Sequence, residues 1–288
     1  MTLRPQLDIH FGDNLDVISE FADASFDLIY IDPPFNTGKK RSHARLQTVA
    51  DEDGDRTGFG GRRYRSEVLS RASYLDSFTN FEAFIGPRLL QAHRLLAPTG
   101  SLFVHLDFRE SHYVKVMLDG IFGRDNFVNE IIWAYDFGGR SKRKWPAKHD
   151  TILLYARTRH RYTFHYDELP RIPYMAPGLV GKAKAARGKT PTDVWWHTIV
   201  PTNGKERTGY PTQKPRGVLD RIIGVHSSPG DRVLDFFAGS GTTGEAAVTA
   251  GRQAVLVDAN PEAMSVMHRR LRQFGPTWHG WSPVDTGE

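Results

Sequence analysis

The tetrapeptide Asp32-Pro33-Pro34-Phe35 closes the apolar run FDLIYI. Two consecutive prolines fix φ and carry no N–H, so they offer only carbonyl acceptors beside the Asp32 carboxylate. With the ring of Phe35 the set suits a planar amine, with acceptors for its N–H groups and an aromatic face for its ring. A rigid strand-ending turn is the plain structural alternative. The second candidate is VLDFFAGSGTTG, residues 233–244: a hydrophobic strand ending in Asp235, a glycine turn, and Thr242 or Thr243 placed to open a helix. Glycines permit close backbone approach, and a helix N-terminus offers N–H groups to a carboxylate or phosphate. The turn suits the charged end of a cofactor, with helix–sheet packing as the alternative. It lacks the GKT or GKS ending of a phosphate-binding loop and the third glycine of a dinucleotide site, which leaves a nucleoside without a pyrophosphate. One element further on, VLVDAN places Asp258 at a strand end, where an acidic side chain can accept from both ribose hydroxyls.

The elements that must position these residues alternate along the chain. LDIHF and FDLIYI read as strands, SLFVHLD as another, and RESHYVKVMLDGIF as a helix. NEIIWAYD and DTILLYAR read as strands that pair around the basic stretch 138–149, which makes the sheet mixed. Tyr74 to Leu96 has helical spacing, with Pro87 marking a kink or a break between two helices. KPRGVLDRIIGVHS is helical, RVLDFF a strand, TTGEAAVTAG a helix, QAVLVDAN a strand, and PEAMSVMHRRLRQF a last helix opened by Pro261. The expected fold is α/β with a wound, largely parallel sheet. Residues 36–75 show no period and read as a long loop, residues 157–210 as an inserted small region, and the stretch after Phe274 as an uninformative tail.

Composition narrows the chemistry. The chain has 288 residues, 25% of them charged and 39% hydrophobic, the balance of a globular protein with room for one large domain or two smaller ones. No apolar stretch reaches spanning length, and MTLRPQLDIHFGDN lacks a signal-peptide core, so a cytoplasmic protein without membrane contact is expected. The absence of cysteine excludes disulfides, thiolate metal sites and every Cys-nucleophile mechanism. Twelve histidines form no HExxH-like spacing, and no metal is expected. His105, inside an apolar strand, reads as a core residue, or one that supports the site from behind, rather than a base.

Taken together these residues resemble the DNA amino-methyltransferases that use S-adenosylmethionine, with a DPPY- or DPPF-like catalytic motif and a DPFAGSGTT-like cofactor motif. The catalytic motif comes first here, as in the β class of that family. GDNLDVI, HRLLAPTGSLFVHLD, EIIWAYD, KHDTILLYAR, ERTGYPTQKP and VLVDANPEA are similar to family segments in family order. The resemblance implies that Asp32, Pro33, Pro34 and Phe35 are catalytic. It assigns Asp13 and Asn14 to the adenosine base of the cofactor, and Thr212, Gln213, Lys214 and Asp235 with Gly239, Ser240, Gly241, Thr242 and Thr243 to its methionine part. Asp32, Phe236, Phe237, Asp258 and Asn260 complete the expected cofactor set. Phe236 departs from the family, which commonly has proline there.

The resemblance also implies a reaction. Methylation at carbon 5 of cytosine needs a thiolate that this chain lacks, whereas an exocyclic amine can be methylated directly, giving S-adenosylhomocysteine. The expected acceptor is N6 of adenine in a base flipped from double-stranded DNA, because family members with Asp at the first motif position more often act on adenine; N4 of cytosine is the alternative, and a non-catalytic DNA-binding relative is a third reading. Residues 39–71 hold nine Lys or Arg against five Asp or Glu, and residues 138–161 eight against one, a footprint for phosphates. Lys39, Lys40, Arg41, Arg140, Lys142, Arg143 and Lys144 are the expected DNA contacts, with Trp145 among them. The catalytic domain is expected over 1–159 and 206–274, residues 36–75 forming a mobile DNA-contacting loop, 160–205 the target-recognition region and 275–288 a tail. A homodimer and a companion restriction endonuclease are implied partners.

Overall fold

The computed structural model describes residues 5–35, 80–201 and 203–282 in full, and the backbone alone of 39–50, 56–57 and 63–76. Five strands run parallel where the sequence predicts them: β1 (Leu7–Phe11), β2 (Phe26–Ile31), β6 (Leu96–Leu106), β10 (Arg232–Asp235) and β11 (Gln253–Asp258). They belong to a nine-stranded sheet of order β12-β1-β11-β10-β2-β6-β8-β7-β9. Here β7 is Phe127–Ala134, β8 His149–Ala156, β9 Val194–Trp196 and β12 Thr277–His279. Among the described residues β8 alone runs against its neighbours, pairing antiparallel with both β6 and β7. The expected mixed, largely parallel α/β sheet is the fold observed.

Period-2 alternation splits every central strand between two cores. Leu28 and Tyr30 of β2, Phe103 of β6, Val233 of β10, and Ala254 and Leu256 of β11 face one layer. That layer holds α5 (Arg216–His226), α6 (Thr242–Thr249) and α7 (Pro261–Leu271). Ile29, Ile31, Val104, Leu234 and Val257 face the other. It holds α1 (Asn14–Ser19), α2 (Phe81–Leu95) and α3 (Ser111–Phe122). Each fully buried aliphatic side chain in these layers contributes about 1.5–3 kcal/mol of transfer free energy. Because β10 leads through α6 to one side and β2 leads to the other, the crevice at their carboxyl ends is a topological switch point, where open α/β sheets bind ligands.

Three expectations change. Residues 36–75 are not a structureless loop: β3 (Lys39–Ala50) and β5 (Arg63–Asp76) pair antiparallel over their length, with β4 (Arg56–Thr57) added at the end. The sequences KKRSHARLQTVA and RYRSEVLSRASYLD carry no steady apolar alternation, so periodicity is silent about them. Pro87 neither breaks nor splits its segment; it lies inside the single helix α2, where Arg88 Nη1 donates to the Phe84 carbonyl at 2.8 Å. The tail after Phe274 contributes β12 to the sheet edge beside β1, with Trp278 and Trp281 packed against the core. Within 160–205, α4 (Lys182–Arg187) stands exposed, while β9 joins the main sheet through β7.

Candidate active site

The glycine turn is built from its own hydrogen bonds. Asp235 ends β10, and its carboxylate accepts from the Phe237 N–H at 3.0 Å and from Thr243 Oγ1 at 2.6 Å, tying the strand end to the first turn of α6. Burial, with the nearby Asp32 and Asp258 carboxylates adding to it against those two donors, pushes the Asp235 carboxyl up to about 7. Gly239 and Gly241 have φ of +50° and +73°. A Cβ at Gly239 would meet the Tyr210 ring at 3.0 Å, and one at Gly241 would meet Leu271 and Met267 at 2.9 Å. Asp258 accepts from the Gly239 N–H at 2.7 Å and the Asn260 N–H at 2.8 Å; burial raises its pKa despite these bonds. Behind the turn, Arg270 binds Glu245 at 2.6 Å and Thr242 Oγ1 at 2.8 Å, a brace that no motif announces.

These groups surround a cavity of about 320 Å³, within the range of small-molecule sites. Of the residues expected at the cofactor, Asp32, Thr212, Lys214, Asp235, Phe237, Gly239, Ser240, Thr242, Thr243, Asp258 and Asn260 line it, and Gly241 forms the turn behind it. Four do not come to it. Phe236 is fully buried in the core among the helices of the α1–α3 layer, because alternation from Leu234 sends it there. Asn14 is buried with both amide groups engaged, Nδ2 donating to the Phe236 carbonyl and Oδ1 accepting from Arg88 Nε, each at 2.6 Å. Asp13 caps α1 through the Leu15 N–H and pairs with Arg88 at 3.1 Å. Gln213 braces its own loop, accepting from the Thr208 N–H at 2.7 Å and donating to the Glu206 carbonyl at 2.6 Å.

Asp32, Pro33, Pro34 and Phe35 leave β2 at the mouth of the same cavity. Lys214 Nζ donates to Asp32 Oδ2, so the Lys214 side chain is held on the Asp32–Phe35 motif, and its ammonium stands 5.1 Å from the Phe35 ring centre. Thr242 Oγ1 donates to the Lys214 carbonyl at 3.2 Å, linking the two motifs. Asp32 Oδ1 is buried and has no hydrogen-bond partner among the described residues. A buried orphan oxygen is costly unless something supplies a donor. Phe35, Tyr210, Thr212 and Lys214 form a wall shared with a second cavity of about 500 Å³, lined further by Asp107, Arg109, Trp133, Tyr135, Phe137 and Asp150.

His105 is fully buried, in keeping with a core position, but its neighbours are polar: the Tyr30 hydroxyl lies 2.9 Å from Nδ1 and Asp150 Oδ2 3.1 Å from Nε2. The Tyr135 hydroxyl donates to Asp150 Oδ1 at 3.2 Å. Burial pushes Asp150 up, but hydrogen bonds and charge from His105, with Lys214 and Tyr135, hold it below the usual carboxylate range. Burial, then the anions Asp32, Asp235 and Asp150, push the Tyr30 phenol well up. The shared face has a period-2 origin: Tyr30 and Asp32, Phe103 and His105, Ile152 and Asp150, and Trp133 and Tyr135 are each two residues apart, and the apolar member of three of these pairs and Tyr30 lie in one core.

Arg140, Lys142, Arg143 and Lys144 lie exposed on the loop between β7 and β8, with Trp145 95% exposed at their side. The loop is pinned at its base by Lys148 on Asp136 at 2.8 Å, and Ser141 Oγ accepts from the N–H groups of Arg143 and Lys144 at 3.2 Å. The side chains of Lys39, Lys40 and Arg41 lie outside the described residues. Among the described residues no group of three or more His, Asp or Glu could hold a metal ion, and no helix is long and apolar enough to cross a membrane.

Comparison with known proteins agrees with this arrangement. The profile of the N6/N4 DNA methylase family matches residues 26–269. The type II methyltransferase M.HpaI of Haemophilus parainfluenzae is 28% identical over 261 residues, 91% of this chain and 72% of that protein. The DNA adenine methyltransferase YhdJ of Escherichia coli is 28% identical over 273 residues, 90% of this chain and 81% of that protein. Among solved structures, the PvuII DNA methyltransferase, cytosine-N4-specific, superposes with a TM-score of 0.62 at 15% identity over 97% of this chain and 99% of that one. The M1.HpyAVI complex with S-adenosylmethionine gives 0.59 at 19% identity over 92% and 98%.

Proposed function

The chain belongs to the N6/N4 DNA methylase family, and on that premise we propose that it transfers a methyl group from S-adenosylmethionine to an exocyclic amine of a base flipped out of double-stranded DNA, with N6 of adenine as the preferred acceptor. One observation carries the reading: the wall that holds Phe35 and Lys214, with the orphaned Asp32 Oδ1 beside it, divides a glycine-turn cavity from a larger aromatic one. The first fits the methyl donor. The missing side chain of Gly239 leaves space beside Tyr210, the N-terminus of α6 favours a carboxylate, and Asp258 and Asn260 line the same cavity for a ribose. When bound, S-adenosylmethionine supplies an activated methyl group. Thr212, Thr242 and Thr243 would hold its polar end.

The chain's own part is positioning and electrostatics. Lys214 occupies Asp32 Oδ2, which leaves Oδ1 to accept an amine N–H. The Pro33 carbonyl can accept the other. Two such bonds draw the nitrogen toward tetrahedral geometry and free a lone pair otherwise delocalised into the base. Phe35 offers the base a π face without needing a hydroxyl. An extrahelical base is required because the amine is inaccessible in the duplex, and the second cavity, with Trp133, Tyr135 and Phe137, has the volume and aromatic lining for it.

Asp32 at the first motif position and the likeness to YhdJ support adenine; the likeness to the PvuII enzyme is of fold alone. The exposed loop of Arg140, Lys142, Arg143 and Lys144 supplies phosphate contacts, with Trp145 placed to wedge or stack. Base reading falls to residues 160–205, where Trp195, capped by Arg221 at 4.7 Å, and exposed Trp196 lie on the edge strand β9. A cytoplasmic, nucleoid-associated dimer, with or without a companion endonuclease, follows from the family resemblance. The test is to incubate the protein with unmethylated DNA and S-adenosylmethionine, digest to nucleosides and identify the product by mass spectrometry. N6-methyladenine is expected; N4-methylcytosine would reverse the base assignment, and neither product would remove the reading.

A further inference from the structure

Beneath the wall shared by the two cavities lies a chain of groups for which the binding of an amine by Asp32 gives no role. A carboxylate only accepts, so His105 Nε2 carries the hydrogen donated to Asp150, and Nδ1 is the lone-pair nitrogen that accepts from the Tyr30 hydroxyl. The same Nδ1 lies 3.9 Å from Asp32 Oδ1, the oxygen that has no hydrogen-bond partner among the described residues. Asp150 is fixed from its other side by Tyr135, and both line the second cavity. Trp133 meets the imidazole edge-on at 5.3 Å and Phe35 tilts over it at 5.7 Å, which closes the ring off from bulk water.

We infer that the His105–Asp150 pair is the proton sink of methyl transfer and acts through Asp32, an inference that rests on the amine-methylating reading above. When the lone pair of the amine nitrogen forms its bond to the methyl carbon, the carbon–sulfur bond breaks and its pair goes to sulfur. The nitrogen is left cationic and must lose one proton, the N–H pair returning to it. That proton passes to Asp32 Oδ1 and on to His105 Nδ1. The products are a neutral methylamine, a thioether and an imidazolium set between two carboxylates. Asp32 hands the proton on because a free imidazole binds a proton roughly 400-fold more tightly than a free aspartate. The Tyr30 hydroxyl turns from donor to acceptor as Nδ1 gains its hydrogen. Burial opposes the imidazolium; the carboxylates of Asp150 at 3.1 Å and Asp32 at 3.9 Å offset it, and the Lys214 ammonium on Asp32 opposes it. The proton leaves through Asp150 and the second cavity.

His105 is thus a positioning residue, and its test reads protonation as well as rate. Nitrogen-15 NMR of imidazole-labelled protein, without cofactor or DNA, follows the His105 titration in the wild type, Asp32→Asn and Asp150→Asn. Single-turnover methyl transfer against pH is measured for the wild type, Asp150→Asn and His105→Gln. The His105 midpoint is expected to fall by about half a pH unit or more in Asp32→Asn and by about one or more in Asp150→Asn. The rising limb of the rate profile in Asp150→Asn should move to lower pH by the same amount as its NMR midpoint, with the rate down about tenfold and KM for DNA within about twofold. Asp150→Asn keeps shape and hydrogen bond, so it reads the effect even where His105→Gln fails to fold. A midpoint identical in the wild type and Asp32→Asn, or superimposable profiles for the wild type and Asp150→Asn, would overturn the inference alone. A wild-type protein that titrates as expected yet methylates no DNA amine would overturn the transfer reading, and the sink with it.

Discussion

The two sides of the shared wall are built in opposite ways. On the glycine side, nine consecutive residues from Asp235 to Thr243 make the turn, and the hydrogen bonds within it run between residues two to eight apart in sequence, with Asp258 added from 19 residues beyond Gly239. On the aromatic side, the groups that meet, Tyr30, His105, Tyr135 and Asp150, come from different strands or their ends, with His105 bonded to partners 75 and 45 residues away. A local site is specified by short-range geometry and survives wherever its strand and helix form. A dispersed site exists only when sheet order and register are right, since a slip of one residue would turn each of these side chains to the other core. In the function proposed above, the chemistry sits where the two meet, at Asp32 and Phe35.

The strongest way to break that junction is Asp32→Ala. Methyl transfer should fall by at least about 10³-fold while DNA binding, measured by fluorescence anisotropy, stays within about tenfold. Retained activity would dissolve the link between the two sides. The glycine side alone is probed by pH. The Asp235 carboxyl is raised to about 7 in the fold, so the native state holds this proton more tightly than the unfolded chain. The group therefore contributes most at low pH and loses that contribution as pH rises from its ordinary range through about 7. Asp235→Asn has no such loss, and its stability relative to the wild type should improve between pH 5 and pH 8 by an amount on the order of 2 kcal/mol, read as a difference in denaturant midpoints. A difference that is constant with pH would show that Asp235 is ionised throughout. Asp258→Ala should weaken S-adenosylmethionine binding by about 1.5–3 kcal/mol in calorimetry, the range for a hydrogen bond to a charged group, whereas an equal effect on DNA binding would blur the division between cavities. The smallest effect lies outside both. Replacing Arg143 and Lys144 with Gln should lower the slope of log affinity for DNA against log salt by about 1.8 without changing cofactor affinity. An unaltered slope moves the phosphate footprint to another surface.

The same contrast decides what could be read from the sequence. Asp32 to Phe35, the glycine turn and Asp258 are contiguous motifs at strand ends, and the structure gathers them at one crevice. Phe236 and Asn14 show the limit of carrying a motif across residue by residue: side-chain direction follows strand alternation for the first, and partnership with a buried Arg88 for the second, neither of which a motif encodes. Arg270 went unseen because a basic residue late in α7 looks like any solvated cation until α6 is packed beside it. The sequences of β3 and β5 carry no steady apolar alternation to announce them. His105 was legible as buried, and its polar company was not, although each contributing strand carries a polar residue two places beyond a core position near the same sheet edge.

The claim that the wall joins a donor site to an acceptor site is tested most directly by a crystal structure of the protein with cognate DNA and a non-transferable analogue of S-adenosylmethionine. The account predicts an extrahelical base in the second cavity, stacked on Phe35, its exocyclic nitrogen within about 2.6–3.2 Å of Asp32 Oδ1 and the analogue along the glycine turn. A base bound with its amine facing away from Asp32, or an analogue lodged outside the cavity of Gly239 and Asp258, would contradict it.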